Sequence, residues 1–256
     1  MSDDFWLTEE QFDRIKPLLP NKSRGVPRVD DRRVLSGIIF CLKRGYRWSD
    51  VPPEYGPAKT LYNRYRRWAG AGVFERIFTT LATEAADLSV LMMDASHVKA
   101  HRIAAKGGAK GGGGDRAIGR TKGGLNSKLH LVCDGHGRPV HLHVTAGNRA
   151  DITQARQCLE PYAARGVTVI ADRGYDADHL RDRLAEIGAN ACIPPRRNRT
   201  IQYEYDTGLY KSRNIIERMF GRLKDWRQLA LRTFRSEKTF LAAAHLAATV
   251  IWYLRV

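Results

Sequence analysis

Three carboxylates in this chain of 256 residues fall where a site could be built. Asp94 closes the apolar run VLMM and Asp172 closes VTVIA, so each is expected at the C-terminal end of a strand, the rim where open α/β sheets place their sites. One such Asp is commonplace as a cap or turn residue. Asp172 begins DRGYD, where Gly174 permits a tight turn and Asp176 is the better candidate to cap the next helix, leaving Asp172 free for other work. The third acid is Glu217, in YKSRNIIERMFGRLKDW. At helical spacing Ile215, Met219, Leu223 and Trp226 make one apolar stripe, while Arg213, Glu217, Gly221 and Lys224 gather on the other side and face outward. A glycine in that stripe lets a bulky ligand approach closely. The same pattern also describes an exposed helix with an ordinary i, i+4 pair of Arg213 and Glu217.

Other candidate chemistry is weaker. His97 and His101 are spaced for one helix face, and His141 and His143 for one strand face, but neither pair has a third ligand, so they read as surface, core or DNA-contact residues. Cys41, Cys133, Cys158 and Cys192 are far apart and suit neither a disulfide framework nor a zinc knuckle, which fits a reducing cytoplasm. GDRAIGRT, residues 114–121, has Arg120 where a phosphate-binding loop needs lysine and no buried strand before it, which argues against ATP.

The elements that must position these residues follow from periodicity. Thr8 and Gln11 make a capping box, and Phe12, Ile15 and Leu19 recur at helical spacing, predicting a helix over about 9–19. A second helix runs from Asp31 to Arg44, with Gly45 as its stop. After the breaker-rich WSDVPPEYGP, a third puts Leu61, Tyr65 and Trp68 on one face and Lys59, Arg64, Arg66 and Arg67 largely off it; a fourth spans about Val73 to Asp87. Such a unit suits a helix-turn-helix-like DNA-binding domain whose third helix enters the major groove, although its arginines also fit the solvated face of an ordinary helix. From Val90 the texture becomes α/β: a strand ending at Asp94, a hairpin of SKLHLVCD and RPVHLHVT, a helix capped by Asp151, the strand before Asp172, a helix stopped by Gly188, and the strand ANACIP. Residues 240–254, with His245 and five alanines, are too short for a membrane span and read as a buried helix.

Composition points to a polyanion. Lys and Arg number 43 against 27 Asp and Glu, a net charge of +16, with 43% hydrophobic residues, enough for one or two real cores. The excess lies in residues 21–70, 98–128 and 196–235, as a nucleic acid touched at several places requires. The glycine-rich run over 104–124 reads as a flexible basic loop able to close on phosphates. The acidic start MSDDFWLTEE is unlike a signal or transit peptide.

At this point the residues resemble a known family. Tyr210, Arg213, Glu217 and Lys224 reproduce the Tyr, Arg, Glu and Lys signature of DDE transposases of the bacterial insertion-sequence-five family; DASHVKAH resembles the region of the first Asp, and DRGYD that of the second. LTEEQFDRIKPLLP through KTLYNRYRRWAGAGVFERI also resembles the family's helical DNA-binding domain, so the likeness covers nearly the whole chain. It implies residues 1–87 as a helical DNA-binding domain and 88–256 as a catalytic domain with an RNase H-like mixed five-stranded sheet, the C-terminal helices lying in 211–256. The sites it implies are Asp94, Asp172 and Glu217. The 45 residues between the last two leave no room for a large inserted domain.

Three carboxylates without a histidine or cysteine cluster favour two Mg²⁺ ions, with Mn²⁺ able to substitute, over zinc. Such ions, roughly 4 Å apart, serve in-line displacement at phosphorus. Asp94 is expected to bridge them, with Asp172 and Glu217 each completing one. The activity implied is cleavage at terminal inverted repeats and transfer of the 3′ ends into target DNA; the alternatives are a metal-dependent nuclease and an inactive, transposase-derived DNA-binding protein. Expected DNA contacts are Lys59, Arg64, Arg66, Arg67, Lys99, Arg120, Lys122, Arg213 and Lys224, with Tyr210 as a stacking, phosphate-contacting or structural residue. A homodimer or larger assembly on double-stranded DNA, in the bacterial cytoplasm and near the nucleoid, completes the expectation.

Overall fold

A computed structural model describes residues 5–20, 30–105 and 116–254. Helix α1 (Glu9–Ile15) begins with the capping box of Thr8 and Gln11 and tightens into a 3₁₀ turn at Lys16–Leu18, where Pro17 removes an N–H. Helix α2 (Asp31–Arg44) is capped by Asp30 and stops at Gly45, whose φ of 72° is the left-handed conformation that glycine adopts without penalty. Helices α3 (Ala58–Gly70) and α4 (Val73–Ala85) follow.

The sheet comes next: β1 (Val90–Ala100), then the one-turn α5 (Arg102–Ala105), β2 (Gly119–Thr121), β3 (Gly124–Asp134) and β4 (Pro139–Ala146). Beyond them lie α6 (Ile152–Leu159), β5 (Thr168–Ala171), α7 (Asp178–Glu186), β6 (Asn190–Cys192), α8 (Thr207–Tyr210), α9 (Asn214–Lys224), α10 (Arg227–Ala230), β7 (Leu231–Arg232) and α11 (Glu237–Ala248). β3 pairs with β1 and β4 antiparallel, and β1, β5 and β6 are parallel neighbours, giving the mixed five-strand pattern; the short β2 and β7 make it a seven-stranded sheet. Neither short strand has enough residues to show a period-2 pattern.

Alternation along β1 assigns its two faces. Leu91 and Met93 pack with α6 and α7, whereas Met92 and Val98 join the core made with α1 to α4, α9 and α11. Asp94 and Ser96 share the parity of Met92 and so point toward α9. The core on this side is continuous from Leu7 to Leu254, so the N-terminal helices are built onto the sheet and the C-terminal helices through one apolar body. The alanine-rich 240–254 stretch runs through α11 and a π-helical turn, Thr249–Tyr253, and is mostly buried; among the described residues no helix is long and apolar enough to cross a membrane.

Several expectations are corrected. β1 does not end at Asp94 but continues to Ala100, so His97 lies on a strand rather than one helix turn below His101, bonded through Nδ1 to Asn126 at 3.0 Å. Asp151 donates no cap to α6; its carboxylate pairs with Lys128 at 2.9 Å. Asp176 does not cap α7 either, since Ala177 holds that position and Asp176 is buried among arginines. Arg64 is no solvated or DNA-facing residue. It is 6% exposed, paired with Asp31 of α2 and stacked on Trp68, because one helical turn returns it to the edge of the packed face. Of the expected basic loop, residues 106–115 lie outside the described residues, while Arg120 stands in β2 and Lys122 in the turn to β3.

Candidate active site

Asp94 and Asp172 come together because their strands do. The parallel register of β1 and β5 ends on the pair Met93 and Ala171, so the next residue of each chain is an aspartate, at the C-terminal end of the parallel pairing. Oδ1 of Asp94 accepts from the N–H of Ala95 at 2.7 Å, and Oδ2 accepts from Nη1 of Arg213 at 2.9 Å. Burial pushes the Asp94 carboxyl above its ordinary pKa and the charge of Asp172 adds to this, while the Ala95 N–H and Arg213 oppose it.

Asp172 is extended and opens a 3₁₀ turn, Arg173–Tyr175, with Oδ1 accepting from the N–H of Gly174 at 2.8 Å. Gly174 serves clearance more than backbone freedom: a Cβ there would come within 2.9 Å of Asp172 Oδ1. Under the turn, the buried Tyr175 has its hydroxyl held protonated by burial, with Asp151, Asp94 and Asp172 adding to the shift.

Glu217 sits in the first turn of α9, whose buried face is Ile216, Met219, Phe220 and Leu223. The stripe of Arg213, Glu217, Gly221 and Lys224 does not simply face outward; it runs along β1. Arg213 spans Asp94 and Glu217, and Nζ of Lys224 donates to Ser96 Oγ at 2.6 Å. Burial opposes the charge of Arg213, but Asp94, Tyr210, Glu217 and Asp172 outweigh it and raise its pKa. Tyr210, half-buried at the end of α8, packs its ring edge-on to Tyr205, 5.5 Å between centroids, and its hydroxyl against Arg213. Gly221 has open space where a Cβ would be, leaving a gap between Glu217 and Lys224.

The three sequence-predicted acids are therefore brought to one region, but they do not close on one point. Among the described residues no three His, Cys, Asp or Glu side chains form a cluster able to hold an ion. A guanidinium stands between Asp94 and Glu217 instead. The donors are all carboxylate oxygens and a cation already bridges two of them, so the set fits a hard divalent ion in kind. The expected DNA contacts Lys59, Arg66, Arg67, Lys99, Arg120 and Lys122 are exposed. Ser96, the partner of Lys224, was not singled out from sequence; its period-2 spacing from Asp94 is the signal that could have found it.

Comparison with known proteins finds relatives of this chain. Residues 7–78 match the family described as a transposase of the IS4/5 family, and residues 85–252 match the transposase DDE domain. A transposase for insertion sequence element IS6501 of Brucella ovis is 39% identical over 129 residues, covering 50% of this chain and 98% of that protein. A transposase for IS402 of Burkholderia cepacia is 33% identical over 135 residues, covering 46% of this chain and 62% of that one. Among solved structures, a piggyBac transposase synaptic complex with hairpin DNA has a TM-score of 0.55 at 8% identity, covering 97% of this chain and 72% of that one. That likeness concerns the fold, which is RNase H-like.

Proposed function

We propose, from the premise that this chain belongs to the transposase DDE domain family, that it binds the terminal inverted repeats of an insertion sequence, cleaves them and joins the freed 3′ ends to target DNA. The observation that carries this reading is that Asp94 and Asp172 both stand one residue past the last parallel pair of β1 and β5, with Glu217 tied to Asp94 through Arg213. The presence of all three acids favours an active enzyme over a binding-only descendant.

Asp94, Asp172 and Glu217 would hold Mg²⁺, which when bound activates the attacking oxygen and stabilises the leaving one in displacement at phosphorus. The chain's own groups prepare the rest. Before substrate arrives, Arg213 offsets the repulsion among the acids. As a phosphate approaches, Arg213 has a new anionic partner and can release Glu217, which is half exposed and free to turn. Lys224, steadied by Ser96, projects beside the open space at Gly221 and is placed to take a second phosphate. Tyr210 orients Arg213 from the other side. Lys59, Arg66 and Arg67 on α3 are assigned to the repeat, Lys99, Arg120 and Lys122 to flanking backbone. Two ends must be joined, so an assembly of at least two copies is expected to act on the DNA.

The test incubates the protein with Mg²⁺, a labelled duplex ending in the inverted repeats that flank its gene, and a supercoiled plasmid. Joined products support the proposal. Cutting without joining replaces it with a nuclease, and binding alone with an inactive derivative.

A further inference from the structure

Residues 193–206, leading from β6 to α8, form no regular element, yet they are firmly fastened. The buried carboxylate of Asp176 accepts from Nε of Arg181 at 2.7 Å through Oδ1, and from the N–H of Arg196 at 2.7 Å and Nε of Arg199 at 2.9 Å through Oδ2. Arg181 also donates to the carbonyl of Ile193 at 2.8 Å, and Arg199 to Asp178 at 2.6 Å. The ring of Tyr203 lies against both guanidiniums, 4.2 and 5.0 Å from its centroid. Taking two cations onto one buried carboxylate carries a desolvation cost, and here it fixes the backbone of a surface loop.

That fixed backbone presents Arg196 and Arg197, both exposed. Arg196 donates to the carbonyl of Gly174 at 3.3 Å, so the loop lies against the turn that carries Asp172, and exposed Arg173 stands beside the same acid. Neither Arg173 nor Arg197 pairs with a carboxylate among the described residues. In the strand order β1, β5, β6, these cations flank Asp172 on the β6 side, whereas Arg213 and Lys224 stand over β1. We infer that Arg173, Arg196 and Arg197 form a second phosphate clamp, gripping the DNA backbone next to the scissile bond on the side opposite α9. The inference rests on the transposase reading above.

The test uses the full chain and a labelled duplex carrying the inverted repeat that flanks its gene, without divalent ions. Binding is measured across a NaCl series for wild type and for the Arg196→Ala, Arg197→Ala double variant, whose changes are on the surface. Two lost phosphate contacts lower the slope of log K against log salt by about 1.8. Methylphosphonates beside the cleavage point are expected to weaken wild-type binding and to leave the double variant's binding unchanged. An unchanged slope, or methylphosphonate and alanine effects that simply multiply, overturns the clamp while wild-type binding keeps the transposase reading. If wild type neither binds nor cuts the repeat, both fall.

Discussion

At the scale of residues, the centre of the site is a competition for two carboxylates. Arg213 holds Asp94 and Glu217, two of the carboxylates proposed to hold the metal. Replacing it by glutamine leaves three acids with less counter-charge, so Arg213→Gln is expected to bind Mn²⁺ about tenfold more tightly without DNA, read by paramagnetic resonance titration, and to bind repeat DNA more weakly. Equal Mn²⁺ affinity in both proteins would remove the competition. Asp94→Asn, Asp172→Asn and Glu217→Gln are each expected to lower cleavage and strand transfer by at least about a thousandfold while repeat binding persists. Normal Mg²⁺-dependent cleavage by any of them excludes that residue from the site. Asp94 and Asp172 were legible in sequence because each follows an apolar run, and Glu217 through the signature it shares with Tyr210, Arg213 and Lys224. That the Arg213 of the i, i+4 pair also reaches Asp94 was not legible, since the two are 119 residues apart in the chain and only packing decides that they meet.

At the scale of elements, a helix face can hide a charge that its sequence appears to offer. Arg64 lies between α2 and α3 on Asp31 and Trp68, so Arg64→Ala removes a largely buried charged hydrogen bond and the packing on Trp68 and is expected to cost about 2 kcal/mol in urea unfolding. Lys59→Ala with Arg66→Ala and Arg67→Ala, by contrast, should weaken DNA binding and move the unfolding midpoint little. If Arg64→Ala unfolds like wild type, the pair is not structural. Arg232 follows the same rule: it is fully buried, donates to Ser127 and to the carbonyls of Arg116 and Ala117, and so ties β7 to the return of the glycine-rich segment. Apolar periodicity located the longer helices and the main strands, with β1 cut short at Asp94, but a single cation at the edge of a stripe is assigned to core or solvent by its neighbours.

At the scale of the whole molecule, two results bear on stability. One core joins α1 to α4 with the sheet, α9 and α11, so a fragment of residues 88–256 would expose the faces that Phe74, Phe78 and Leu81 now cover. It is expected to aggregate or to lose cooperative thermal unfolding; a well-folded monomer in gel filtration would show two independent domains. Burial also drives His130 and His141 down to about 4 and His245 to about 3, so all three rings are neutral in the folded chain at neutral pH. Because the unfolded chain takes up these protons first, stability falls as pH drops from about 6.5 toward 4, on the order of 3 kcal/mol for each ring. Urea titrations at pH 7, 5.5 and 4 measure this, and His245→Phe, which keeps a ring against Phe78, should flatten the decline.

Composition, period and spacing determined the order of the main strands and helices and the basic character, because those properties are local or additive along the chain, while the resemblance to a family singled out the three acids. Tertiary structure alone decided which cations were buried and which were presented. It also put Asp176 into a loop anchor and Asp151 into a pair with Lys128, and set Arg213 between the acids. The reason is that an ionic partner is chosen by distance in space, after long stretches of chain have packed. A short sequence window fixes the direction a side chain takes from its own element and leaves open what it will meet.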